Sequence, residues 1–206
     1  MRLFHSPASP FVRKVMVTAL ETGLAARIER VRAVVSPVAR DPQVVAHNPS
    51  GHIPTLVLED GTVLFDSGVI CQYLDTLHDG PPLLPAEPLA RARTLCQQAL
   101  ADGLLTAGVL MRYESALRPE ALRWDDWYDG QRAKVRSSLS ALSEVWPDHL
   151  RGPLDIGVIA TACALEWLDF RFPDDPWRAD HPRLADWLAG FAQRPSMLAT
   201  RPSPVV

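Results

Sequence analysis

The spacing of apolar positions changes character part-way along the chain. Near the start, Arg2-Leu3-Phe4-His5 is a short strand candidate, and Phe11, Val12, Val15, Met16, Ala19 and Leu20 recur at steps of three and four, which predicts a helix. Ser9-Pro10 supplies an N-cap with proline at the first helical position, and Gly23 suits the position after the C-cap. Residues 28–34 alternate as a second strand. After a poorly patterned stretch, residues 55–58, the turn Glu59-Asp60-Gly61 and residues 62–65 read as a hairpin. Ser67 is expected to cap a further helix carrying Val69, Ile70, Tyr73, Leu74 and Leu77. The resulting order, strand-helix-strand-(helix)-strand-strand-helix, describes an α/β domain over residues 1–78.

Beyond residue 88 no strand pattern occurs. Residues 89–117 predict one long helix, softly interrupted by glycines at 103 and 108, and residues 124–146 a second with Val135, Leu139 and Leu142 inward. Residues 183–191 predict a shorter closing helix. Between them, Ile156, Ile159, Ala160, Cys163, Ala164, Trp167 and Leu168 form an apolar stripe whose flanks, Gly157, Val158, Thr161 and Ala162, are also small or apolar. Such a helix is buried all round and should be the core of its domain. Asp79-Gly80-Pro81-Pro82, Pro85 and Pro88 forbid continuous helix or central strand, so residues 79–88 read as a linker and 89–206 as an all-helical domain. The fold class is therefore α/β plus all-α.

Composition narrows the function classes. With 206 residues, 47% hydrophobic and 22% charged, the chain can bury a core, which excludes disordered, collagen-like and disulfide-scaffold classes. A net charge of −3 leaves no basic excess for a nucleic-acid backbone, so no nucleic-acid partner is expected. Cys71, Cys96 and Cys163 match neither a metal-ligand spacing nor a CxxC pair and read as reduced core residues. The longest apolar or small run, residues 156–165, is too short to span a bilayer, and the first residues contain no apolar leader. A cytoplasmic protein without a membrane partner is the expectation.

Four local features carry candidate chemistry: Ser9-Pro10-Phe11-Val12-Arg13-Lys14, Asn48-Pro49-Ser50-Gly51-His52-Ile53-Pro54, Phe65-Asp66-Ser67-Gly68, and Asp155 three residues after Gly152. Each has a plain structural reading as well: Ser9 as an N-cap only, Pro54 as a trans proline opening a strand, Asp66 and Ser67 as a solvated turn, Asp155 as a capping and packing residue. The tryptophans read mainly as core, with Trp124 or Trp127 as candidates to line a pocket.

Taken together in this order, the segments SPFVRK, NPSGHIP and FDSGVICQYL resemble a cytosolic glutathione transferase over essentially the whole chain, and the first is most similar to bacterial members with an active-site serine. The resemblance implies a thioredoxin-like N-terminal domain, a helical C-terminal domain, and glutathione as co-substrate with no metal. It implies a thiolate-stabilising hydroxyl at Ser9, with Ser6 as the runner-up, and a cis-proline step at Ile53-Pro54 that meets the cysteinyl part of glutathione. Ser67 would hold the γ-glutamyl carboxylate with Asp66 near the α-amine, and His52 reads either as a partner of the glycyl carboxylate or as a loop residue without a role. Asp102 resembles an acidic residue that some members send across a homodimer interface. One departure is visible: Gly152 stands where the family usually has Ser or Thr before the buried helix. The implied activity is transfer of the glutathione sulfur to a small, fairly apolar electrophile. A non-catalytic glutathione-binding or protein-interaction role, and an isomerase or peroxidase activity, are the alternatives.

Overall fold

The computed structural model describes residues 1–204. Two compact units are present: one comprises Met1–Ala86 together with the C-terminal segment from Arg194, the other Glu87–Gln193.

The first unit follows the order β1 (Arg2–His5), α1 (Pro10–Glu21), β2 (Glu29–Arg32), α2 (Pro42–Val45), β3 (Thr55–Val57), β4 (Val63–Leu64) and α3 (Ser67–Leu74). Its sheet has strand order β2-β1-β3-β4, with β1 parallel to β2 and antiparallel to β3, and β3 antiparallel to β4. Helix α1 ends as its sequence directs. Gly23 takes φ 72°, a left-handed value that glycine adopts without a Cβ penalty. The Leu24 N–H then donates to the Ala19 carbonyl at 2.7 Å and the Gly23 N–H to Leu20 at 3.2 Å, closing a Schellman motif. Leu3, Val15, Val17, Leu56, Ile70 and Leu74 are fully buried and form the core between sheet and helices.

The second unit contains α4 (Pro88–Ala116), α5 (Asp125–Glu144), α6 (Pro147–Leu150), α7 (Ile156–Arg171), α8 (Trp177–Asp180) and α9 (Pro182–Phe191). Helix α7 is buried from Ile156 to Leu165 without interruption, as its all-round apolar pattern requires. Glycine at 108 permits a close approach to α4, since a Cβ there would stand 2.7 Å from the Trp167 ring. Among the described residues no helix is long and apolar enough to cross a membrane.

The structure departs from the sequence pattern at four points. The last helix, α10 (Pro195–Leu198), belongs with the first unit and not with the helical one. Its anchors are Arg194, which donates to both oxygens of Glu21 at 2.8 and 2.7 Å, Ser196, which donates to the same carboxylate, and the fully buried Met197. Asp66, and not Ser67, caps α3, because its carboxylate accepts from the N–H groups of Gly68 and Val69. Asp155 is the N-cap of α7, in keeping with its reading as a capping residue, and Gly152 lies outside the helix. Cys96 is exposed on the outer side of α4 while Cys71 and Cys163 are buried. Trp124 sits just before α5 and is 62% exposed, unlike the core residues Trp167 and Trp177.

Candidate functional site

The topology of the small sheet gathers three of the four chemical segments at one end. Strand β1 leads at its C-terminal end into Ser6 and Ser9. Strand β3 is antiparallel to it and pairs Phe4 with Thr55, so the Ile53-Pro54 peptide enters at that same end. Strand β4 is antiparallel to β3 and hence runs with β1, delivering Phe65, Asp66 and Ser67 there as well. Helices α1 and α3 both begin at this edge, so two positive helix ends face it.

Ser9 is half-buried, and its Oγ accepts from the Val12 N–H at 3.3 Å. An acceptor lone pair is thereby committed to the helix while the hydroxyl proton is left to donate elsewhere. The Ser9 N–H is itself held by the Ser6 carbonyl at 3.1 Å, and Ser6 is buried behind it. The C-terminal segment reaches the same corner. Arg13 on α1 donates to the Met197 carbonyl at 3.2 Å, and the Ser203 N–H donates to the Pro7 carbonyl at 3.3 Å, two residues before Ser9.

The Ile53-Pro54 bond is cis. The N–H and C=O of Ile53 take part in no hydrogen bond among the described residues, although the residue is buried. An extended ligand backbone could pair with them as an added strand. The loop before this step is held by Asn48, which sequence reasoning left without a role. Its amide donates to the His52 carbonyl and to Thr55 Oγ1, each at 3.1 Å, while its oxygen accepts from the Ser50 N–H and hydroxyl at 3.0 and 2.7 Å. An asparagine opening a Pro-Ser-Gly turn is the available signal for such a role. His52 itself is exposed. Arg40 lies across the loop, donating to the Pro49 carbonyl, and its Nε stands 3.0 Å from where a Gly51 Cβ would be. Nothing in the unpatterned stretch around Arg40 announces this.

At the start of α3, Asp66 directs Oδ1 at Gly68 N, 2.9 Å, and Val69 N, 3.5 Å. These two N–H groups are therefore occupied, and Oδ2 is the oxygen left over. Ser67 is 2% exposed, and its hydroxyl makes no hydrogen bond among the described residues. As a first-turn residue it also has a backbone N–H without an intrahelical acceptor. The peptide Phe65–Asp66 is cis.

Asp102 and Asp155 stand apart from this constellation in chain organisation, since both belong to the helical unit. Asp102 is half-buried on α4, and its carbonyl accepts from Thr106 Oγ1 at 2.8 Å. Asp155 is a structural centre. Oδ1 accepts from the Val158 N–H at 2.9 Å, and Oδ2 accepts from Thr94 Oγ1 at 2.8 Å with His149 Nε2 at 2.6 Å. Thr94 and His149 thus serve the aspartate three residues after Gly152, a position where a Cβ would come within 3.1 Å of the His149 carbonyl. Among the described residues, no three His, Cys, Asp or Glu side chains converge as a metal site.

Two family models match the chain. Residues 8–77 match the glutathione S-transferase N-terminal domain and residues 125–190 the glutathione S-transferase C-terminal domain. The chain is 35% identical to the GST-like protein YibF of Escherichia coli, over 98% of each chain. It is 52% identical to a crystal structure of a glutathione transferase family member from Pseudomonas fluorescens with bound glutathione, with a TM-score of 0.96 over 99% of each chain. A second structure of a family member from that organism holds S-(propanoic acid)-glutathione, and there the identity is 51% and the TM-score 0.92 over the full length of both chains.

Proposed function

The chain belongs to the glutathione S-transferase family, and we propose that it is an active transferase in which Ser9 stabilises the thiolate of bound glutathione for attack on an electrophilic carbon. The observation that carries this reading is the arrangement of the Ser9 hydroxyl: its oxygen accepts from α1 and its proton remains available at the positive end of that helix. A thiol with an ordinary pKa near 8.5 is mostly protonated at pH 7. A hydrogen bond to the thiolate together with the helix end lowers that pKa and raises the fraction of reactive sulfur. The thiol proton passes to solvent, and the sulfur lone pair then forms the carbon–sulfur bond. On an aryl halide the carbon–halogen pair leaves as halide; on an activated alkene the π pair moves to the adjacent carbon, which takes up a proton from solvent.

In this reading the glutathione backbone pairs with Ile53 beside Pro54, as an added strand. The Ser67 hydroxyl and N–H hold the γ-glutamyl carboxylate, and Oδ2 of Asp66 faces the α-amine. His52 and Arg40 flank the glycyl carboxylate. The Pseudomonas fluorescens relatives that hold glutathione and S-(propanoic acid)-glutathione support both the co-substrate and a small electrophile. The protein works as a homodimer in the cytoplasm, where glutathione is kept reduced, and Asp102 reaches the ligand's ammonium from the partner subunit.

The test is calorimetric titration with glutathione, followed by conjugation assays over a panel of activated alkenes and aryl halides. Micromolar to millimolar binding with turnover of at least one electrophile is the expected result. Binding without any turnover would replace the transferase by a glutathione-binding protein, and light scattering that gives a monomer mass would remove Asp102 from the site.

A further inference from the structure

Helices α4 and α7 are in register over several turns of the helical unit. Thr94 meets Asp155 at 2.8 Å, Gln97 meets Thr161 at 3.1 Å, and Gly108 lies under the Trp167 ring. Partner positions rise together, so the two helices run parallel. One turn beyond Gly108 and Trp167, at four residues further on each helix and therefore on the same faces, stand Arg112 and Arg171.

This pair is unusual in what it lacks. Neither arginine has an ion-pair partner among the described residues. The acids closest in sequence are engaged elsewhere. Asp169 accepts from Arg178 at 3.0 and 2.6 Å and from the Trp177 indole at 2.9 Å. Glu114 accepts from Arg118 at 2.7 Å and from the Trp124 N–H at 2.9 Å. The Nε of Arg171 is buried with no hydrogen-bond partner among the described residues. Burial, and then the charge of Arg112, lower the pKa of Arg171 below its ordinary value.

Two like charges side by side, one with a buried donor unmet, are unfavourable until an anion lies between them. Guanidinium groups match a two-oxygen anion through paired N–H donors. The surroundings are aromatic: the Arg171 guanidinium lies 4.3 Å from the Phe170 ring centroid, and Phe172 packs edge-on against Trp167 at 6.0 Å. Phe170 and Phe172 are both half-exposed, so carbon attached to the anion has an apolar seat beside the charges.

We propose that Arg112 and Arg171 form an oxyanion-binding site on the helical unit, and that its ligand is the carboxylate of a small organic acid. The site goes beyond the transferase reading, because it requires neither glutathione nor Ser9. Ligand-observed NMR titration of the full chain with propanoate, and separately with sulfate, at low ionic strength tests it. Saturable propanoate binding is expected, weakened about tenfold or more in Arg171→Gln and in Arg112→Gln, and partly restored in Arg171→Lys, with glutathione affinity unchanged in all three. Near-UV circular dichroism of each variant, compared with that of the wild type, separates loss of the site from loss of the fold. Absence of saturable binding by the wild type, or wild-type binding in both folded glutamine variants, overturns the site. Sulfate binding tighter than propanoate overturns the organic-acid assignment.

Discussion

Ser9 and Asp155 open two helices with the same local device and use it to different ends. Asp155 is 8% exposed and engages three partners, Val158, Thr94 and His149. Ser9 is half-buried, and among the described residues its hydroxyl makes a single contact, of 3.3 Å, with its helix. A cap with both carboxylate oxygens engaged inside its own unit holds structure. One that keeps a proton in reserve at a helix N-terminus can act on a ligand. The start of α3 divides the two tasks between adjacent residues, with Asp66 capping and the Ser67 hydroxyl making no hydrogen bond among the described residues.

The comparison breaks most visibly at Asp155. Asp155→Ala removes a cap and leaves buried donors unpaired, so unfolding in urea should show a loss of about 2 to 4 kcal/mol. A loss under about 1 kcal/mol would mean that water or a rotated His149 replaces the carboxylate, and that the two caps differ less than their geometry suggests. Next in size is Ser67→Ala. Glutathione affinity measured by calorimetry should fall by about 1 to 3 kcal/mol, while stability changes little because Asp66 is the cap. Unaltered affinity would make Ser67 a packing residue.

Smallest is the effect of Glu21, which ties α10 to α1. The Arg194 hydrogen bonds hold its carboxyl below the ordinary range, with burial opposing and the Ser196 hydroxyl assisting. A depressed folded-state pKa contributes stability that is present above the unfolded value and is lost as pH falls through the folded one. Thermal stability should therefore decline below about pH 4.5, and Glu21→Gln should remove that part of the decline. Because the pair is partly open to solvent, the change should be under about 1 kcal/mol. An identical pH dependence in the variant would show that α10 is held by Met197 and Arg13 instead.

Local signals account for most of what the sequence reveals. Proline after Ser9, glycine at 23 and the all-round apolar run of α7 determine their elements through short-range chemistry, and the structure follows them. At α3 two capping residues stand side by side in sequence. The carboxylate of Asp66 prevails because its extended backbone places it within reach of the second and third helical N–H groups. Distant pairings leave no such trace. Arg194 and Glu21 lie 173 positions apart, and nothing in either segment names the other. Arg40 is equally silent, since its partners are the carbonyl of Pro49 and the bare face of Gly51. The exposure of Cys96 and Trp124 was illegible for a different reason: a long helix with apolar residues on several faces, and a tryptophan one residue ahead of a helix, carry no clear period.

The most direct test of the account is the pH profile of conjugation in Ser9→Ala. Loss of one hydrogen bond to a charged sulfur should raise the pKa of enzyme-bound glutathione by about one to two units, since such a bond contributes about 1.5 to 3 kcal/mol and each unit corresponds to about 1.4. The profile should move to alkaline values while the limiting rate at high pH survives. A wild-type rate at neutral pH with an unshifted profile would contradict the role assigned to Ser9 and leave its hydroxyl, like Asp155, a cap and nothing more.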